Sequence, residues 1–155
     1  MNGIAYHPCL GQLVYTKPGS NRRVGKVVGW VGRKGYRETE VNGIAKKVHR
    51  LIYEIHYGPI PPGMQIDHIN GNRDDNRIDN LRLATQEQNQ ANMKLKVTNT
   101  SGVKGVCWNQ RYGMWYARVG HNNERHTSLH NTFFAATLWV RMIREQLHGE
   151  FVNHG

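Results

Sequence analysis

The sequence predicts an α+β fold, with β-hairpins at the N-terminus and a small three-stranded sheet packed on one helix at the C-terminus. Three observations lead there. Short apolar runs alternate with Gly-, Pro- and Asn-rich turns over residues 12–47 and again over 106–129. Two stretches, 48–57 and 133–147, repeat their apolar residues at helical spacing. Between them, residues 64–93 are dense in Asn, Asp and Gln, and only their start reads as an apolar strand.

Residues 12–15 form a first short strand, ended by the turn cluster Lys17-Pro18-Gly19-Ser20-Asn21. Residues 27–31 read as a second strand. After Gly35, residues 36–41 alternate with period two, and Asn42-Gly43 is a two-residue hairpin signal because both turn positions need positive φ. Residues 44–47 are the return strand. In VHRLIYEIHY, Val48, Leu51, Ile52 and Ile55 fall at i, i+3, i+4 and i+7, one apolar stripe that Gly58-Pro59 terminates. His49 and His56 sit on that helix without a carboxylate neighbour, so a core or surface role is expected for both.

Residues 65–69 form a strand that puts Asp67 and His68 on opposite faces unless the chain turns, which Asn70-Gly71 permits. Residues 72–80 are a polar loop with Ile78 as its apolar anchor, of the kind that Asx side chains hold through local backbone hydrogen bonds. Leu81 and Leu83 return to the core. Thr85 and Gln88 have capping-box spacing for a helix from residue 86 to about 96, with Asn89 and Asn92 on one face. Composition loosens after Lys96. The expected boundary lies near 97–102, dividing the chain into 1–97, with a core at about 48–97, and 98–155. In the second part, strands are expected at 106–108, 115–119 and 125–129. Thr132 caps a helix over 133–147 whose stripe is Phe134, Leu138, Met142 and Leu147.

The formal net charge is +10, which points to polyanionic partners. Residues 1–60 carry ten Lys/Arg against three Asp/Glu, residues 61–97 five against five, and residues 98–155 six against three. A neutral middle between basic arms is the expected place for chemistry on a bound polyanion. Arg22, Arg23, Lys26, Arg33, Lys34 and Arg37 are candidate phosphate contacts in the first arm. Cys9 and Cys107 are far apart and form no CxxC pair, so free thiols are expected and no structural zinc. No apolar run approaches the roughly 20 residues of a membrane span. The N-terminus lacks the basic and apolar regions of a secretory signal.

Phosphodiester cleavage needs a base for water, charge relief on the phosphate and help for the departing 3′ oxygen. His68 has the right residue type for the base, its ordinary pKa of about 6.5 suiting neutral pH. Asp67 and the side-chain carbonyl of Asn89 are oxygen donors suited to a hard divalent cation. Asn80 follows His68 after eleven intervening residues, and Asn89 follows after eight more. With IDHINGN and DNL at these positions, the lead-in VHRLIYEIHYG and the tail NLRLATQEQN, residues 48–93 resemble the HNH nucleases, specifically phage-encoded homing endonucleases. The resemblance implies a ββα-metal core. It makes His68 the general base, Asp67 and Asn89 the ligands of a single Mg²⁺ or Mn²⁺, and Asn80 the asparagine that braces the loop and orients the histidine. Other members often end the motif in His where this chain has Asn89, and larger relatives add zinc-binding CxxC pairs absent here.

Residues 101–152, with SGVKGVCWN, GMWYARV and a helix ending LHGEF, resemble the AP2 DNA-binding domain, which lays a three-stranded sheet in the major groove. His130-Asn131-Thr132 departs from that family's usual entry to the helix, which puts the register of the third strand in question. Trp108, Arg111, Trp115, Arg118 and Arg125 are the expected DNA contacts there, with Arg50 and Arg82 near the nuclease core. For Trp115, a core role stands beside the DNA-facing one. The expectation is a monomeric, site-selective endonuclease of homing type, acting on double-stranded DNA to leave 5′-phosphate and 3′-hydroxyl ends. It needs no small-molecule cofactor and no membrane, and works in the cytoplasm of a bacterial host. The alternatives are a DNA-binding regulator with an inactive HNH core, and a nuclease without site preference.

Overall fold

The computed structural model describes residues 3–95 and 97–154. The chain divides into two compact units, residues 1–85 and 86–155. The composition change at 97–102 therefore lies inside the second unit.

Among the described residues, the first unit holds three small antiparallel sheets and one α-helix. Strands β1 (Ile4–His7) and β2 (Gln12–Tyr15) form a hairpin. The sequence reading has no counterpart for β1, whose residues alternate only between partly buried and exposed. Strands β3 (Trp30–Val31), β4 (Arg37–Val41) and β5 (Ile44–Lys47) make a sheet in that order. Asn42 and Gly43 both have positive φ, 54° and 77°, as the hairpin signal requires. Helix α1 (Val48–Tyr57) ends where the Gly58 amide donates to the Glu54 carbonyl at 3.0 Å. Strands β6 (Gln65–His68) and β7 (Leu81–Ala84) close the unit as a two-stranded ribbon, joined by a long loop and a 3₁₀ turn over Ile78–Asn80.

Leu13, Val28, Val48, Leu51, Ile52, Ile66 and Leu81 form the core of this unit. Two sequence expectations are corrected here. Residues 27–31 are not one strand. The Val28 amide donates to the Leu13 carbonyl at 2.8 Å, alongside β2, whereas Trp30 and Val31 pair with β4. The chain switches partners at Gly29, whose φ is +85° and where a Cβ would stand 2.0 Å from the Glu38 carbonyl oxygen. Ile55 leaves the expected stripe and is half exposed, because the buried face of α1 is confined to Val48, His49, Leu51 and Ile52.

The second unit opens with a short helix, α2 (Gln86–Ala91). The sequence reading carried this helix to about Lys96; it stops at Ala91, and Lys96 lies outside the described residues. Strands β8 (Val106–Asn109), β9 (Met114–His121) and β10 (Glu124–His130) form an antiparallel sheet with β9 central. Asn122 and Asn123 turn the second hairpin with φ of 50° and 62°. Helix α3 (Phe133–His148) packs on one face of the sheet, and its Thr132 hydroxyl caps it by accepting from the Ala135 amide at 3.2 Å. The core is Val106, Ala117, Val119, Ala136 and Val140, with Trp115, Trp139, Ile143 and Leu147 against it. Of the expected α3 stripe only Leu147 joins this core; Phe134, Leu138 and Met142 are exposed. Steps of four residues drift around a 3.6-residue helix, whereas Ala136, Val140, Ile143 and Leu147 hold one face.

Gly29 yields a test. Gly29→Ala places a Cβ against the Glu38 carbonyl at a backbone angle that L residues avoid. The expected loss of unfolding free energy, measured by urea denaturation, is about 1–3 kcal/mol. An unchanged midpoint would mean that β3 can part from β4 at no cost.

Candidate active site

The four residues of β6 carry two adjacent ionisable side chains, and both are buried: Asp67 is 5% and His68 4% exposed. Burial of such groups is costly unless each finds a partner. Asp67 stands opposite Arg82 in the β6–β7 register. The Arg82 Nε donates to Asp67 Oδ2 at 3.0 Å, and Nη2 lies 3.0 Å from the same oxygen. His68 takes its partner from the loop: its Nε2 lies 3.0 Å from Oδ1 of Asn76, a side chain with no exposed surface.

The loop keeps its shape through Asx side chains, as its composition predicts. The Asn70 amide donates to Asn80 Oδ1 at 3.0 Å, and Asn80 Nδ2 donates to Asn70 Oδ1 at 3.0 Å and to the Asp75 carbonyl at 2.7 Å. Asn80 thus ties the two ends of the loop together at its neck. Asn72 donates from its amide to Asn70 Oδ1 at 2.8 Å, and Asn70 Nδ2 donates to Asp75 Oδ2 at 2.7 Å. Arg77 grips Asp75 through Nε and Nη2 at 2.9 and 2.8 Å, and the guanidinium holds that carboxyl down at about 2. From β4, Arg37 reaches both oxygens of Asp74 at 2.9 and 3.0 Å, so this candidate phosphate contact is committed to the loop.

Against the His68 ring lie two aromatic neighbours. His49 of α1 meets it edge to face, ring centres 4.9 Å apart, and Tyr36 lies 5.9 Å away. His49 is 3% exposed, and its Nδ1 is buried without a hydrogen-bond partner. Burial, with the neighbouring His68 adding to it, pushes the His49 pKa down to about 3. Burial also lowers the His68 pKa from its ordinary value, while the Asn76 hydrogen bond and the charge of Asp67 act the other way. Both rings are therefore neutral at pH 7, and a neutral imidazole is the form that can take a proton.

In the first unit the structure brings together Asp67, His68, Asn80 and Arg82, with Arg50 half-buried on α1. Asn89 lies half-buried on α2 in the second unit. The other expected DNA contacts belong to the C-terminal sheet. Arg118 and Arg125 are exposed on the face away from α3, where Tyr116, Thr127 and Leu129 also point. Trp115 points the other way, packing its ring 4.8 Å from Phe133 and 5.3 Å from Trp108. Arg111 is exposed in the β8–β9 turn, its guanidinium over the Tyr112 ring at 5.5 Å.

In the sequence Asn76 is one loop asparagine among many, and Gln12 shows only as a strand residue. Nothing local separates a buried asparagine from a solvated one. The single hint is that Asn76 follows two aspartates that Arg37 and Arg77 neutralise.

A family model described as HNH endonuclease matches residues 46–91. Protein 3.8 of Escherichia phage T7 is 37% identical over 121 residues, covering 78% of this chain and 98% of that protein. The chain belongs to the HNH endonuclease family. An uncharacterized HNH endonuclease of Acanthamoeba polyphaga mimivirus is 34% identical over 131 residues, covering 83% of this chain and 66% of that protein. Protein 7.7 of the same phage is 39% identical over 74 residues, covering 48% of this chain and 57% of its own length. No solved structure matches the chain. HNH endonucleases use a divalent metal and act on DNA, so metal-dependent DNA cleavage is the coarse function of this chain. No described helix is long and apolar enough to cross a membrane.

Among the described residues no group of three or more His, Cys, Asp or Glu is placed to hold a metal ion. The Asp67 carboxylate is an oxygen donor of the kind a hard divalent cation takes. Arg82 now balances the Asp67 charge. A cation arriving there would share that role.

His49 makes the unit sensitive to acid. Its folded pKa, about 3, is below the unfolded value near 6.5. Between those limits the unfolded chain binds a proton that the folded chain refuses, so stability falls as pH is lowered through this window. The slope is about 1.4 kcal/mol per pH unit for one such group. His49→Phe removes it. Between pH 6.5 and 5.5, where the unfolded imidazole passes from half to almost fully protonated, the variant is expected to lose about 1 kcal/mol less than wild type in urea titrations; equal losses would mean that His49 is protonated in the folded state.

Proposed function

We propose that this HNH protein is a site-selective endonuclease of homing type. It cuts double-stranded DNA to leave 5′-phosphate and 3′-hydroxyl ends, and works as a monomer. The observation that carries the reading is His68: buried and held by a hydrogen bond beside the Asp67 carboxylate, inside the segment that the family model matches. His68 accepts the proton of the attacking water. Asn80 closes the loop that shapes the histidine's surroundings. By its position in the motif, Asp67 would be a ligand of a single Mg²⁺ or Mn²⁺, and Asn89 stands at the motif's second ligand position. When bound, that cation supplies charge relief at the phosphate and at the departing 3′ oxygen.

Site selection falls to the C-terminal sheet, which we assign to the AP2-like type. The arrangement that supports this is a three-stranded sheet covered by α3 on one face, with Arg118 and Arg125 exposed on the other. The outward pair can reach base edges or phosphates, whereas Trp115 serves the packing of the unit. Arg82, paired with Asp67, and Arg50 on α1 lie in the same unit as the proposed chemistry.

His68→Ala is expected to lower the cleavage rate by about 10²-fold or more, the scale of a lost general base, while DNA affinity persists. Chelation of divalent cations should abolish wild-type cutting and added Mg²⁺ restore it. Equal rates for variant and wild type in Mg²⁺ would sink the assignment of His68.

Arg118→Ala separates reading from holding. A base-edge contact there predicts relaxed preference at one or two positions of the selected site, at a cost of about 1–3 kcal/mol. A phosphate contact predicts instead a uniform loss and a salt slope flatter by about 0.9. Unchanged binding on every sequence would remove the open sheet face from the interface.

A further inference from the structure

The geometry points to Gln12 and Asn76 as positioning residues that fix the His68 ring in one tautomer, proton on Nε2 and lone pair on Nδ1. This rests on the reading of His68 as the base and specifies which of its atoms acts. Asn76 enters above only as the hydrogen-bond partner of His68, and Gln12 has no part in the roles assigned; it lies on β2, outside the matched residues 46–91.

Three contacts in series carry the argument. Gln12 Nε2 lies 2.7 Å from the main-chain carbonyl of Asp74. A carbonyl only accepts, so the amide nitrogen of Gln12 must face it and the oxygen must face the other way. That oxygen lies 3.3 Å from Asn76 Nδ2, which is also 3.4 Å from the same Asp74 carbonyl. Two acceptors therefore face the Asn76 nitrogen and fix its amide as well. The remaining atom, Asn76 Oδ1, lies 3.0 Å from His68 Nε2 and cannot donate. The imidazole must donate, so the proton sits on Nε2. Reversing either amide would press oxygen against oxygen in a place without solvent, since Gln12 is 7%, Asn76 0% and His68 4% exposed.

The polarity of the chain is thus set by a main-chain carbonyl, which has no second orientation. In neutral imidazole the lone pair then belongs to Nδ1, the only ring atom able to take a proton from water. The β1–β2 turn is built to deliver Gln12 to this place. Gly11, with φ of +59°, passes so close to the loop that a Cβ there would stand 2.5 Å from the Arg77 backbone nitrogen.

The test is nitrogen NMR of the imidazole in the full-length protein at about pH 8. Wild type is expected to show a protonated, pyrrole-type Nε2 and a pyridine-type Nδ1 for His68. A pyrrole-type Nδ1 overturns the proposal whatever the activity. Gln12→Ala touches neither the ring nor the proposed metal ligands. It should move the two nitrogen signals toward a mixture of tautomers and lower kcat at least about tenfold with KM for DNA unchanged. Unchanged signals with unchanged kcat overturn the role of Gln12. Asn76→Ala should do the same more strongly where it folds, and the wild-type spectrum decides the matter if it does not. A pyrrole-type Nε2 in wild type together with full cutting by His68→Ala would uphold the tautomer assignment and overturn the base assignment instead.

Discussion

Burying Asp67 and His68 next to each other sets what the rest of the first unit must provide. A four-residue strand cannot satisfy two ionisable side chains itself, and the solvent is absent. Each therefore recruits a partner from a different element. Arg82 comes from the neighbouring strand by register, and Asn76 comes from the loop. The loop can present Asn76 only because its own backbone is held, by Asn80 at the neck and by Arg77 and Arg37 along its length. Removing Arg82 or Asn76 would leave a buried ionisable group without the partner described here.

Much of the secondary structure was legible because its signals are local. Asn42-Gly43 announces a hairpin through the positive φ it requires, and Thr132 announces a helix through its hydroxyl. What failed was decided by partners distant in sequence. Residues 27–31 look like one strand, and nothing in their pattern says that Val28 belongs to β2 while Trp30 belongs to β4. The apolar residues of α3 offer two stripes of similar quality, and the sheet selects the one with the small residues Ala136 and Val140.

The site was legible in kind. Asp67 and His68 could be singled out because a carboxylate and an imidazole in that spacing have a chemical reason to be there. The supporting residues could not. Gln12 and Asn76 are separated by 64 positions and meet only in the folded chain. His49 was expected to serve the core or the surface; it is core, and its edge against His68 is a neighbourhood that helical periodicity alone does not disclose.

The two-pronged grip of Arg37 on Asp74 has a bearing on modularity. It bolts the loop of the matched segment to β4, which the segment does not contain, as β2 does through Gln12. The piece that travels between proteins as a recognisable motif is therefore smaller than the piece that works as a machine. A chimaera cut at the motif's edges would inherit the chemical groups without the frame that aims them. In this protein the smallest transplantable cassette begins at the first hairpin.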